Sequence, residues 1–231
     1  MAGRILYATS ISPPCRGVFL AIAAAGIEVD IQEIRFQYRE HRTPEFLKMN
    51  PQHTVPTLND NGFVVCDSHA IVTYLIDKYA VDDSLYPKDL EKRTVINERL
   101  HFNNSVLSTH LKKMIVRMKL TVPKNTLDII TESYGHFEIF LGDNDWLTGD
   151  RYTLADTSII ATVSGLSIWI PIDPVKYPKL TAWVKRCEDQ IPGYETANGP
   201  GLSILRNVFD QVRSQYGLSF KSKIRIFFSA K

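Results

Sequence analysis

The sequence predicts two units of different class: an α/β unit over residues 1–80 and an all-α unit over residues 89–231, joined by a linker at 81–88. Three observations carry that expectation. Strand-like and helix-like segments alternate as far as residue 80. An Asn61-Gly62 turn sits between two short apolar runs, which is a hairpin signal. Beyond Pro87 the apolar residues recur at helical spacing. The chain has 231 residues, 44% of them hydrophobic, enough to bury a sizeable core.

The elements follow in order. Ile5-Leu6-Tyr7-Ala8 is a continuous apolar run and reads as a buried strand. Ser12 and Pro13 stand where a helix takes its N-cap and first residue. Val18, Phe19, Ile22 and Ala25 follow at helical spacing, and Gly26 ends that helix. Ile27, Val29 and Ile31 alternate with polar residues, the pattern of a half-buried strand. Thr43-Pro44-Glu45 starts a short helix. Thr57-Leu58 and Phe63-Val64-Val65-Cys66 flank the hairpin turn. Residues 68–79 are amphipathic through Ile71, Tyr74 and Leu75, so the order is βαβαββα. Val81-Asp82-Asp83-Ser84-Leu85-Tyr86-Pro87 is polar apart from Leu85 and Tyr86 and reads as the linker. Helices are then expected over roughly 89–119, 125–141, 154–169, 178–190 and 200–214. Thr153-Leu154-Ala155-Asp156 has the spacing of a capping box, which makes Asp156 a helix-start device rather than a catalyst. Trp146, Trp169 and Trp183 read as core. The tail from Phe220 mixes Lys221, Lys223 and Arg225 with Ile224, Ile226, Phe227 and Phe228, and fits a strand-like flap or a disordered end.

Composition excludes several function classes. There are 27 basic and 25 acidic residues, a net charge of +2, with no concentrated basic face for nucleic acid. Met1-Ala2-Gly3-Arg4 runs straight into a strand, without a secretory leader pattern. No apolar run approaches the roughly 18 residues of a membrane span. Cys15, Cys66 and Cys187 are odd in number and widely spaced, which argues against a disulfide framework and for a reducing, cytoplasmic location.

The residues with chemical promise lie in the first unit. Asn50-Pro51-Gln52-His53-Thr54-Val55-Pro56 can present free backbone groups at a bend. Asp67-Ser68-His69 opens a helix, whose outward N–H groups attract anions. An edge backbone, an acid and a helix N-terminus together suit a small charged peptide.

The βαβαββα order, with a proline opening its third strand, resembles the thioredoxin fold. Joined to a helical unit, it resembles a cytosolic glutathione S-transferase. Ser12-Pro13-Pro14-Cys15-Arg16, the Asn50–Pro56 stretch and Asp67-Ser68-His69-Ala70-Ile71 together are similar to the insect epsilon class, with the delta class next. The resemblance implies a transferase that joins glutathione, its co-substrate, to small hydrophobic electrophiles, with no metal. It implies roles in xenobiotic detoxification and insecticide resistance, and assembly as a homodimer. Ser12 would be catalytic, its hydroxyl donating to the glutathione thiolate. Val55, before a cis Pro56, would pair with the cysteinyl part. Ser68 would meet the γ-glutamyl carboxylate, Asp67 the ammonium, and His53 and His41 the glycyl carboxylate. Thr54, His69 and Lys112 complete the expected glutathione contacts, with His69 also read as a helix-start residue or dimer contact. Ile11, Ser108, Leu111, Ile115 and Leu120 would line the electrophile site. Cys15 lies where a redox relative has its second cysteine, but the first is absent, so no dithiol cycle is available. Two other readings stay open: a binding protein that sequesters hydrophobic compounds, and a glutathione-dependent dehydrohalogenase, peroxidase or isomerase.

Overall fold

The computed structural model describes residues 3–117 and 121–215. Strands β1 (Arg4–Ala8), β2 (Asp30–Glu33), β3 (Thr57–Asp60) and β4 (Phe63–Cys66) form one mixed sheet in the order β2-β1-β3-β4. β1 runs parallel to β2 and antiparallel to β3, and β3 turns back into β4. Successive strand side chains face opposite sides. Leu6 and Ala8 are fully buried with Leu58 in the core that includes helices α1 (Pro13–Ala25) and α3 (Ser68–Tyr79). Tyr7 takes the other face and meets Phe46 of α2 (Pro44–Met49) edge-on, ring centres 5.9 Å apart.

The second unit is helical: α4 (Leu90–Phe102), α5 (Thr109–Arg117), α6 (Lys124–Leu141), α7 (Leu154–Trp169), α8 (Pro178–Gln190), α9 (Tyr194–Ala197) and α10 (Gly199–Gln215). Every residue of α7 except Ser167 is buried, as expected of a helix that is apolar all round and sits centrally. Its main neighbour is α1 of the first unit. Gly17 allows the approach: a β-carbon there would lie 3.3 Å from the Ser158 Cα.

The capping box at the start of α7 forms. The Asp156 carboxylate accepts from the Thr153 N–H at 2.9 Å, and also from the Leu147 N–H at 3.0 Å and the Trp183 Nε1–H at 2.9 Å. The side chain is fully buried, so one acid joins the loop before α7, its first turn and α8. All three tryptophans are buried, as expected. The linker is anchored by its two apolar residues. Leu85 and Tyr86 are buried, the Leu85 carbonyl accepts from the Leu154 N–H at 3.0 Å, and Arg93 stacks over the Tyr86 ring.

Two expectations change. The half-buried strand read from Ile27, Val29 and Ile31 begins at Asp30 instead and lies at the sheet edge, with all four residues exposed. Ile27 is buried for another reason: its N–H donates to the Ile22 carbonyl at 2.9 Å beyond Gly26, whose φ of 65° closes the helix in a Schellman motif. The long helix expected from 89 is interrupted by a π-helical turn over Asn103–Ser108. Two short 3₁₀ turns, Phe36–Tyr38 and Glu40–Arg42, and the single-turn α9 carry no periodic signal in the sequence. The tail from Phe220 lies outside the described residues.

Candidate active site

The site is built from loops at one end of the sheet, beginning with the N-terminus of α1. Ser12 occupies the N-cap position with φ −80° and ψ 118°, yet its hydroxyl makes no capping bond. The reason is local chemistry. An N-cap oxygen serves the N–H of the second or third helical residue. Pro13 and Pro14 fill the first two positions, and proline has no N–H. Only the Cys15 N–H at the third position is left to cap, and the half-buried hydroxyl does not take it; it lies instead within hydrogen-bonding reach of the Cys15 thiol. Burial pushes the nearby Cys15 thiol up to about 11, although the Ser12 side chain and Arg16 favour its thiolate. Cys15 is fully buried and remains a neutral thiol at physiological pH, as expected for an inert packed cysteine.

The second wall is the loop before β3. Asn50 is fully buried and its amide shapes the turn. Nδ2 donates to the Thr54 carbonyl at 3.1 Å, the Thr54 hydroxyl at 3.2 Å and the Thr57 hydroxyl at 2.9 Å, while Oδ1 accepts from the Gln52 N–H at 3.0 Å. Thr54 thus shapes the loop, with its carbonyl and hydroxyl both engaged. The Val55–Pro56 bond is cis. Among the described residues no hydrogen bond takes the N–H or C=O of Val55, which leaves both for an added strand. His53 adopts φ 45° beside this loop, its ring centre 6.1 Å from that of His41. Phe36 packs edge-on against His41, and burial, followed by Arg42, His53 and Arg39, lowers the His41 pKa.

The third wall is the start of α3. Asp67 is the N-cap with φ 79°, a conformation few non-glycine residues adopt. Oδ1 accepts from the N–H groups of His69 at 2.9 Å and Ala70 at 3.2 Å. The N–H groups at this helix start were expected to attract an anion, and Asp67 occupies those of His69 and Ala70. The Ser68 hydroxyl and N–H are not taken by other described residues. Asp67 Oδ2 accepts from Asn104 Nδ2 at 2.9 Å, which ties the acid to the helical unit. His69 is placed between the units: its Nε2 lies 3.2 Å from Asn103 Nδ2, and Asn103 Nδ2 also donates to the Ser158 carbonyl at 3.4 Å. The imidazole nitrogen is the acceptor there. Burial pushes the His69 pKa down, against the pull of Asp67, which fits that neutral form.

The helical unit supplies the remaining expected residues unevenly. Ser108 is half-buried in the π turn, 3.4 Å from both Asn103 Oδ1 and the Thr162 hydroxyl. Ile11 and Ile115 are partly exposed at the edge of the core, and Lys112 is exposed on α5. Leu111 is a correction. It is 1% exposed and turned toward α7, its Cδ2 2.9 Å from where a β-carbon on Gly165 would sit. It belongs to the core and offers no surface to a ligand. Leu120 lies outside the described residues. A cavity of about 420 Å³ opens elsewhere, on the α2 face of the sheet, lined among others by Tyr7, Glu33, Glu40 and Phe46. It contains none of the expected site residues, and the chemistry is better assigned to the Ser12 hydroxyl and the free Val55 backbone described above.

Sequence reasoning assigned no site role to Asn50, Asn103, Asn104 and Arg16, which hold these walls in place. Asn50 lay within the quoted loop and could have been suspected there. Arg16 lay within the Ser12–Arg16 motif, but its partners Ala161 and Asn198 are distant in the chain, as are the partners of Asn103 and Asn104.

Comparison with known proteins shows the family. Residues 6–84 match the family model for the glutathione S-transferase N-terminal domain, and residues 89–190 that for its C-terminal domain. A glutathione S-transferase 1 from Manduca sexta is 39% identical over 88% of this chain and 95% of its own. An epsilon-class glutathione S-transferase from the housefly, Musca domestica, superposes with a TM-score of 0.85 at 40% identity, covering 90% of this chain and 97% of that one. A glutathione transferase homolog from Drosophila mojavensis, solved with bound glutathione, superposes with a TM-score of 0.85 at 41% identity, covering 91% and 98%.

Proposed function

The chain belongs to the glutathione S-transferase family, transferases that conjugate glutathione, and from that premise we propose that Ser12 holds the glutathione sulfur as a thiolate beside a hydrophobic electrophile. The observation that carries this reading is the Ser12 hydroxyl, which stands at the N-cap of α1 ahead of two prolines and makes no capping bond to the backbone. Glutathione lies along the Val55 backbone. Its γ-glutamyl carboxylate meets the Ser68 hydroxyl and N–H, its ammonium meets Asp67, and its glycyl carboxylate meets His41 and His53. Lys112 approaches from α5, and Ile11, Ser108 and Ile115 face the electrophile. The sulfur attacks an electrophilic carbon, a C–S bond forms, and the leaving group departs with its electron pair. The thiol proton has already gone to solvent.

Magnitudes limit what ionisation alone achieves. A hydrogen bond to a charged group is worth about 1.5–3 kcal/mol, or roughly one to two pKa units. Lowering a thiol from about 8.5 by two units raises its thiolate fraction at pH 7 roughly 25-fold. Intrinsic nucleophilicity falls at a Brønsted slope of about 0.4–0.5, a loss of roughly 6- to 10-fold. The net gain is a few-fold, so holding the electrophile next to the sulfur supplies much of the rest. Ser12→Ala should therefore slow conjugation of a generic aryl halide at saturating glutathione. Unchanged turnover would sink the assignment.

The finer features belong to the same proposal. Residues 1–80 form the glutathione-binding domain, 81–88 the linker and 89–231 the electrophile-binding domain. Three free cysteines support a reducing, cytoplasmic location. The chain works as a homodimer in xenobiotic detoxification, including insecticide resistance; Phe63, Leu90 and Val95 stand exposed on β4 and α4 and give a partner apolar side chains to cover. A stable monomer at micromolar concentration in sedimentation would contradict the dimer.

A further inference from the structure

Arg16 is the most unusual charge in the molecule. Its side chain is fully buried, and it has four hydrogen bonds, all to neutral oxygens. Nη1 donates to the carbonyls of Ile11 at 3.1 Å and Ser10 at 3.4 Å, the two residues before Ser12. Nη2 donates to the Ala161 carbonyl on α7 at 3.0 Å, and Nε to Asn198 Oδ1 at 2.8 Å, between α9 and α10. The Asn198 amide is oriented in turn by its Nδ2, which donates to the Ser164 hydroxyl at 3.2 Å. The backbone of α10 presses on the same loop: a β-carbon on Gly201 would lie 1.8 Å from the Ser10 carbonyl oxygen and 3.0 Å from Arg16 Cδ.

Burying a guanidinium without a carboxylate partner is costly, and apolar residues of similar volume often replace buried charges without loss of stability. Burial lowers the Arg16 pKa to about 10, so the group still carries its charge at neutral pH. Its forked geometry suits several fixed acceptors at once, which an ammonium would not match. The acceptors it gathers come from the loop that carries Ser12 and from two places in the helical domain.

We propose that Arg16, clamped by Asn198 and backed by Gly201, is a positioning residue that sets the Ser10–Ser12 loop so that the Ser12 hydroxyl meets the glutathione sulfur. The helical domain thereby fixes the geometry of the thiolate site as well as presenting the electrophile. This rests on the reading of Ser12 given above, and its test separates the two.

The test is a double-mutant cycle, read as kcat, KM for glutathione and the pH midpoint of thiolate formation. Asn198→Ala removes the Nε acceptor. It should lower kcat roughly two- to fourfold, at most the share that the Ser12 hydrogen bond itself contributes, and raise the pH midpoint. KM for glutathione should stay within about twofold, because glutathione's remaining contacts are untouched. Asn198→Asp keeps the acceptor and should restore the wild-type profile. Arg16→Lys should not restore it. In a Ser12→Ala background the Asn198→Ala effect should vanish. If Ser12→Ala alone changes nothing, the Ser12 reading fails. If Ser12→Ala acts but Asn198→Ala has no effect, or adds its full effect in that background, Arg16 does not act through Ser12 and the proposal is overturned. Should Arg16→Lys fail to fold, the Asn198 pair decides alone.

Discussion

Asp156 offers the clearest stability test, because each of its partners can be counted. The buried carboxylate accepts three N–H groups, from Leu147, Thr153 and Trp183, and the Thr153 hydroxyl at 3.3 Å. Asp156→Ala strands three obligate donors. At about 1–3 kcal/mol for each unsatisfied buried group, the sum is about 3–9 kcal/mol, reduced by whatever water enters. Asp156→Asn is gentler. Its oxygen can keep the Leu147 and Trp183 donors while its NH₂ faces Thr153. The Thr153 hydroxyl can rotate to accept, so only the Thr153 N–H loses a partner, at about 1–3 kcal/mol. For a chain of this size, 1 kcal/mol shifts the melting midpoint by about 2–4 °C. The Asn variant should therefore melt about 4–8 °C below wild type, for a loss near the middle of that range, and the Ala variant at least twice as far below. Thermal unfolding followed by far-ultraviolet circular dichroism measures both. If Asn costs as much as Ala, the charge matters rather than the donor count. If neither moves the midpoint, the joint between the α7 start and α8 is not structural.

Two further outcomes are expected. Burial alone would raise the Asp60 pKa, but hydrogen bonds from Lys78, Tyr74, Tyr79 and Asn61 outweigh it and hold the carboxyl well below the usual range. Because its folded value is depressed, Asp60 stabilises the fold above its unfolded pKa near 4, and that contribution fades as pH falls from there toward the folded value. Urea unfolding between pH 5 and 2.5, where the unfolded chain's carboxyl takes up its proton and the folded one stays ionised, should show a steeper acid loss in wild type than in Asp60→Asn, and parallel curves would contradict the assignment. Pro14→Ala restores an N–H that Ser12 can cap. The cap is worth about 1 kcal/mol and offsets the roughly 0.4–1 kcal/mol lost with proline's rigidity, so stability should hardly change. Conjugation should nevertheless fall, and unaltered activity would show that the prolines do not free the hydroxyl.

The sequence carried much of the architecture because its signals are local. Capping residues, the Asn61-Gly62 turn and long amphipathic periods all act within a few residues of one another, and the helices over 124–141, 154–169 and 178–190 follow them closely. The second strand was expected too early and as half-buried because nothing buries it: Ile31 is 52% exposed, whereas Ile34, beyond the strand, is 4% exposed. Leu111 was misplaced because a helix with apolar residues on adjacent faces does not say which face meets the core. Leu111 and Met114 turn inward, Ile115 sits at the edge, and Val116 is 73% exposed. Arg16 stood within the Ser12–Arg16 motif, but its role was hidden for a related reason. An arginine on a helix reads as surface unless the distant oxygens of Ala161 and Asn198 are known to converge on it. Ser12 was legible as an N-cap, but only the structure shows a cap position that makes no capping bond.

On the proposed function, the Ser12 hydroxyl keeps the bound sulfur ionised. The direct measurement is a pH titration of the ultraviolet absorbance of glutathione thiolate bound to the wild type and to Ser12→Ala, with no electrophile present. Loss of one hydrogen bond to the anion should raise the midpoint by about one to two pH units while glutathione still binds. Identical midpoints in the two proteins, both loaded with glutathione, would contradict the account.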